Sequence, residues 1–93
     1  MSGRKLWNAA GRGNEALVSQ LIGQGATVDW RNGSTDWTAL HEAAGYGHTS
    51  VVTLLLDAGW SLEARSRRRW ETPLAQAARA GELETAKCLL LRG

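Results

Sequence analysis

Glycine, leucine and alanine return in this chain on a fixed stride. Gly13, Gly47 and Gly81 lie 34 residues apart, and so do Gly25, Gly59 and Gly93. The same interval separates Leu6, Leu40 and Leu74, then Ala10, Ala44 and Ala78, then Leu21, Leu55 and Leu89. Five columns in one register exclude coincidence. A stride of this length marks stacked supersecondary units, each too small to bury its own apolar face. The chain therefore reads as a short solenoid that presents a surface.

At 93 residues there is room for one domain, taken as 1–93, with a modest core. A hydrophobic fraction of 43% against 22% charged residues fits an ordered globular chain and argues against disorder. No apolar run reaches the roughly 20 residues of a membrane helix. The opening residues Met1 to Leu6 hold no extended apolar stretch of the kind a secretory signal needs. Cys88 is the only cysteine and has no internal partner for a disulfide. These features point to an intracellular protein, cytoplasmic or nuclear. A net charge of only +2 argues against a chain built for nucleic acid as a whole.

The middle unit is the clearest. Leu40, Ala43 and Ala44 fall at helical spacing on one face, and the two alanines imply a close neighbouring helix. Thr38 stands where a helix cap is needed, and Gly47 where the chain leaves the first helix with positive φ. A second helix opens at His48 to Ser50, carries Val51, Val52, Leu55 and Leu56 as its apolar stripe, and ends at Gly59. The third unit repeats the pattern from Thr72-Pro73-Leu74, with Pro73 suited to a first helical turn. The first unit is a looser copy with Leu6, Ala9, Ala10 and Gly13. Between units, Ala26 to Asp36 and Trp60 to Trp70 are polar, and Asn32-Gly33 signals a tight turn. Both connections are predicted to be protruding β-hairpins.

Thr38-Ala39-Leu40-His41-Glu42-Ala43-Ala44 and Thr72-Pro73-Leu74-Ala75-Gln76-Ala77-Ala78 resemble the T-P-L-H-x-A signature of ankyrin repeats. The Gly47-His48 pair and the ending Leu54 to Gly59 resemble that family too. The resemblance implies an all-α solenoid of three stacked helix-turn-helix units joined by β-hairpin loops, at about residues 4–29, 37–63 and 71–93. It also implies a protein-binding scaffold that uses hairpin tips and the exposed side of the first helices. The stride of 34 exceeds the family's usual period of about 33, and each extra residue falls in a hairpin. The sequence reads equally as a natural piece of a longer array and as an engineered derivative.

Candidate chemistry is sparse. His41, His48 and Cys88 fall in different parts of the register, which works against a shared metal or nucleophilic centre. The resemblance gives His41 a hydrogen bond around the Thr38 turn, and His48 a place as the cap of the second helix. Glu82 and Glu84 are placed in a helical first turn, where negative charge suits the dipole. Gly11-Arg12-Gly13 lacks the Lys-Ser/Thr of a phosphate loop. The expectation is no enzyme, no metal and no cofactor.

Binding chemistry is richer. Five tryptophans and one tyrosine stand beside no phenylalanine, and Arg65, Arg67, Arg68 and Arg69 crowd one connection. Trp, Tyr and Arg are the residues that interfaces concentrate. The resemblance places Trp37 and Tyr46 at the positions where the family varies most. Arg12 is the counterpart of Tyr46, Glu71 that of Trp37, and Arg79 that of Gly45. Trp30, Trp37, Tyr46, Arg67, Arg68, Arg69, Trp70, Glu71 and Arg79, with Arg12, form the candidate partner-binding set. The rival reading is a nucleic acid or phosphorylated ligand held by the Arg65–Arg69 hairpin. Trp60 and Trp7 are assigned to the core and to the first end of the stack. Leu89, Leu90 and Leu91 are expected to be exposed at the other end, which raises self-association through the array ends.

Overall fold

A computed structural model describes residues 3–26, 30–31, 37–59 and 72–92. Six helices follow in order: α1 Gly3–Arg12, α2 Glu15–Gly23, α3 Ala39–Gly45, α4 Thr49–Asp57, α5 Pro73–Arg79 and α6 Leu83–Arg92. Among the described residues there is no strand. The predicted hairpins fall largely on 27–29, 32–36 and 60–71, outside the described residues, as does Trp60.

Three of the helices, α2, α3 and α5, begin at a side-chain cap. The Asn14 side chain accepts the Leu17 N–H ahead of α2. Thr38 accepts the His41 N–H, while His41 Nδ1 accepts the Thr38 N–H at 3.2 Å, which closes a reciprocal capping box. Thr72 accepts the Ala75 N–H at 3.1 Å, and Pro73 fills the first turn of α5. The predicted stop at Gly47 is a left-handed turn with φ of 75°. Only glycine takes that conformation freely, and the carboxylate of Glu82 lies where its Cβ would be. Glu82 therefore stands just before α6, turned toward the preceding layer, with Glu84 alone in the first turn.

The six helices pair as α1–α2, α3–α4 and α5–α6, and the pairs stack. The inner row runs α1, α3, α5 and the second row α2, α4, α6, each helix packed on its successor in the row. The core lies between the rows and between the layers. Leu6, Leu40, Val18, Val51, Val52 and Leu55 are fully enclosed, with Ala9, Ala43 and Ala77 at the close helix approaches. Position in the stack decides burial within a column. Ala10 and Ala44 have no exposed surface, whereas Ala78, in the last layer, is exposed. Leu74 is half-buried where Leu6 and Leu40 are sealed.

Polar bonds cross the layers as well. His48 Nε2 lies 2.9 Å from the Gly11 carbonyl. The Thr49 and Thr85 hydroxyls lie 2.8 Å apart, and Arg92 pairs with Asp57 at the surface. Two expectations are corrected here. His48 occupies the N-cap position of α4 but makes no side-chain cap bond, because its ring is spent on the first layer. Leu89 is buried, since its side of α6 faces the core; of the expected trio, only Leu90 and Leu91 are exposed.

Candidate functional site

The groups capable of catalysis are held apart, each in a local bond. His41 is fully buried, with Nδ1 as acceptor for Thr38 and the Thr38 hydroxyl 2.9 Å away. The arrangement fixes its ring within the α3 cap. His48 bridges to Gly11 from the far side of the same layer. Cys88 is half-buried in α6, its Sγ 3.7 Å from the Thr53 hydroxyl on α4. Among the described residues no three His, Cys, Asp or Glu side chains gather as metal ligands. An open polar recess of about 320 Å³ lies at the turns ahead of α2 and α4, between Gly13, Glu15, Gly47, His48 and Ser50. It brings the Glu15 carboxylate, the Thr49 and Ser50 hydroxyls and the committed His48 imidazole to its rim, with no nucleophile–base pair bonded across it among the described residues.

The aromatic residues form two groups. Trp7 on α1 meets Trp30 edge to face, with ring centroids 6.2 Å apart and planes at 66°. Trp7 Nε1–H donates to the carbonyl of Trp37 at 3.1 Å, tying the first layer to the residue ahead of the Thr38 cap. Trp30 lies over Gly3, where a Cβ would come within 2.4 Å of its own Cβ. Trp7, Trp30 and Trp37 are each half-buried. Farther along, Tyr46 caps the C-terminal end of α3 and remains 62% exposed. Its ring stacks on His48, centroids 6.3 Å apart.

Arg12 closes α1 and Arg79 closes α5, both exposed. Arg12, Tyr46 and Ala80 form one column of three different, exposed side chains, while the Leu6 and Ala9 columns behind them hold the frame. Arg67, Arg68, Arg69, Trp70 and Glu71, with the rest of the Arg65–Arg69 connection, lie outside the described residues.

Three participants escaped sequence reasoning. Glu42 is buried on α3 against Gly11, and loss of solvent raises its pKa above the ordinary carboxylate value. The Trp7–Trp30 contact had no repeat to announce it, because their register partners are His41 and Ala64. The His48–Gly11 bond was signalled only by the recurrence of Gly-x-Gly in both turns.

No helix among the described residues is long and apolar enough to cross a membrane. A family model of ankyrin repeats, in three copies, matches residues 6–93. No curated protein matches the sequence.

Proposed function

The chain belongs to the ankyrin repeat family, and from that premise we propose that it is a non-catalytic module whose partner docks on the first-helix side and the hairpin tips. Ankyrin repeats generally mediate protein–protein interaction. The observation that carries the finer reading is the division of the columns. The frame columns Ala9-Ala43-Ala77 and Leu21-Leu55-Leu89 are buried in every layer, and the column that changes from Arg12 to Tyr46 to Ala80 is exposed in every layer. Such a division keeps the frame constant and leaves specificity to the surface. Tyr46 is the strongest anchor, a large ring already braced by His48, so little freedom is lost when a partner covers it. Trp37, backed by Trp7 through its own carbonyl, supplies the second. Arg12, Trp30, Arg67, Arg68, Arg69, Trp70, Glu71 and Arg79 make up the rest of the proposed surface. A half-buried, hydrogen-bonded single cysteine needs no oxidising surroundings, which fits an intracellular partner.

Binding retained by immobilised chain from cell extract, compared with Trp37→Ala/Tyr46→Ala, tests the reading. The pair is expected to lose about 2 kcal/mol or more of binding free energy with helicity unchanged. The Trp37 carbonyl survives the change, so its bond to Trp7 remains. Undiminished binding by the double variant contradicts the proposal. Steep loss of the complex with rising salt, centred on Arg65–Arg69, would instead favour a phosphate-bearing ligand.

A further inference from the structure

We propose that the edge formed by Arg12 and Tyr46 receives an extended acidic segment of a partner protein, with a carboxylate on Arg12 and an apolar side chain on the Tyr46 ring. The proposal rests on the partner reading above and names the chemistry of the segment that docks. Charge divides between the two rows of helices. On α1, α3 and α5 every exposed charged side chain is cationic: Arg4, Lys5 and Arg12 in the first layer and Arg79 in the last. The single acid of that row, Glu42, is buried. The second row carries Glu15, Asp57 and Glu84 against Lys87 and Arg92, and Arg92 is already paired with Asp57. A small net charge of +2 therefore conceals an inner row whose field attracts acids.

Position in the stack separates the cation that makes contact from those that only set the field. Arg4 and Lys5 share their columns with Thr38 and Ala39, which are buried, so their exposure belongs to the first layer alone. Arg79 shares its column with Gly11 and Gly45, both half-buried. Arg12 differs, because its counterpart Tyr46 has a layer on either side and is still 62% exposed. That column stays open whatever precedes or follows it in the stack. Arg12 makes no hydrogen bond or ion pair among the described residues, so its guanidinium is available to a carboxylate. Helices α1 and α3 pack directly on one another, and packed helix axes lie about 8–10 Å apart. Arg12 and Tyr46, at matching ends of the two helices, thus offer two contacts about one layer apart. A polyproline-type segment rises about 3.1 Å per residue with three residues per turn, which sets residues three apart on one side at about 9 Å. The fitting segment holds an acid three residues from a leucine or an aromatic side chain, and is extended before it binds.

Fluorescence anisotropy tests this with a short labelled peptide of glutamate and proline that holds one leucine three residues from a glutamate. Its lysine counterpart and a single-stranded oligonucleotide of equal charge serve as comparisons. The acidic peptide is expected to bind at least about tenfold more tightly than either, and to weaken severalfold as salt rises from about 50 to 200 mM. Arg12→Glu should weaken it by about tenfold or more and admit the lysine peptide, while Arg12→Gln weakens it less, with circular dichroism unchanged in both. Tyr46→Ala should weaken the acidic peptide on the parent chain and the lysine peptide on Arg12→Glu alike. No binding of the acidic peptide, or binding indifferent to Arg12→Glu, overturns the proposal. Equal binding of the oligonucleotide, lost with Arg12, overturns it too, because phosphate alone then suffices. Capture of partner from cell extract that survives Arg12→Glu but fails in Trp37→Ala/Tyr46→Ala would sink the acidic segment and leave the partner reading standing.

Discussion

Glu42 carries the cost of a desolvated carboxyl on the seam between α1 and α3. It is the one buried carboxylate among the described residues, pressed against Gly11, with no hydrogen-bond donor among those residues on its oxygens. The helices packed on α3 carry Arg4, Lys5, Arg12, Arg79 and Asp57, all exposed, and His48 is committed to Gly11. Desolvation raises the folded-state pKa, so the folded chain holds this proton more tightly than the unfolded one. The resulting stability is complete below the unfolded-state pKa and is lost as pH rises through the folded value. Gln76 fills the same column one layer on, against Gly45, an uncharged side chain of the same length whose Oε1 is buried without a hydrogen-bond partner. Glu42→Gln is therefore expected to raise the melting temperature at pH 7 by roughly 2–5 °C, with the gain fading toward pH 4. Thermal melts across that range check it. A lower melting temperature at pH 7 would mean that the carboxylate has a cationic partner.

Helix ends give sharper comparisons, because neighbouring layers supply matched controls. Thr38 takes part in a two-way exchange with His41, whereas Thr72 makes a single bond backed by Pro73. Thr38→Ala is expected to cost about 1–2 kcal/mol in urea unfolding, and Thr72→Ala about half as much. Gly47 and Gly59 both have positive φ, at 75° and 95°. A Cβ on Gly47 meets the Glu82 carboxylate at 2.6 Å, and one on Gly59 meets nothing within 4 Å. Gly59→Ala and Gly47→Ala should both show mainly the backbone strain, about 1 kcal/mol, since the only atoms a Cβ on Gly47 meets are the Glu82 carboxylate, the end of a side chain that can swing aside. A loss at Gly47 far above that at Gly59 would mean that Glu82 is held rigidly in the α3–α4 turn. These local features were legible in the sequence because caps and turns depend on residues three or four apart. Glu42 against Gly11, His48 on Gly11 and the Thr49–Thr85 bond were not. Each depends on how far one layer slides over the next, which a repeat spacing leaves undetermined. Trp7 and Trp30 were harder still, since neither aromatic recurs in its column.

Stacking makes this chain a one-dimensional object in which neighbours matter more than residue type. The repeat columns revealed which residues share an environment, and the layers show where that equivalence ends. Ala10 and Ala44 are sealed and Ala78 is open, although all three occupy one register position. The same layering leaves Arg12 and Tyr46 presented in sequence along one edge, the arrangement from which the partner face is proposed. It also predicts that a change at an inner layer is felt on both sides, and one at the last layer on one side only. The most direct measurement is urea unfolding of Ala44→Leu beside Ala78→Leu, the same substitution made one layer apart. Overpacking at Ala44 should cost about 1–3 kcal/mol, while Ala78→Leu stays within about 0.5 kcal/mol of the parent chain. Equal destabilisation at the two positions would contradict the stack of like layers.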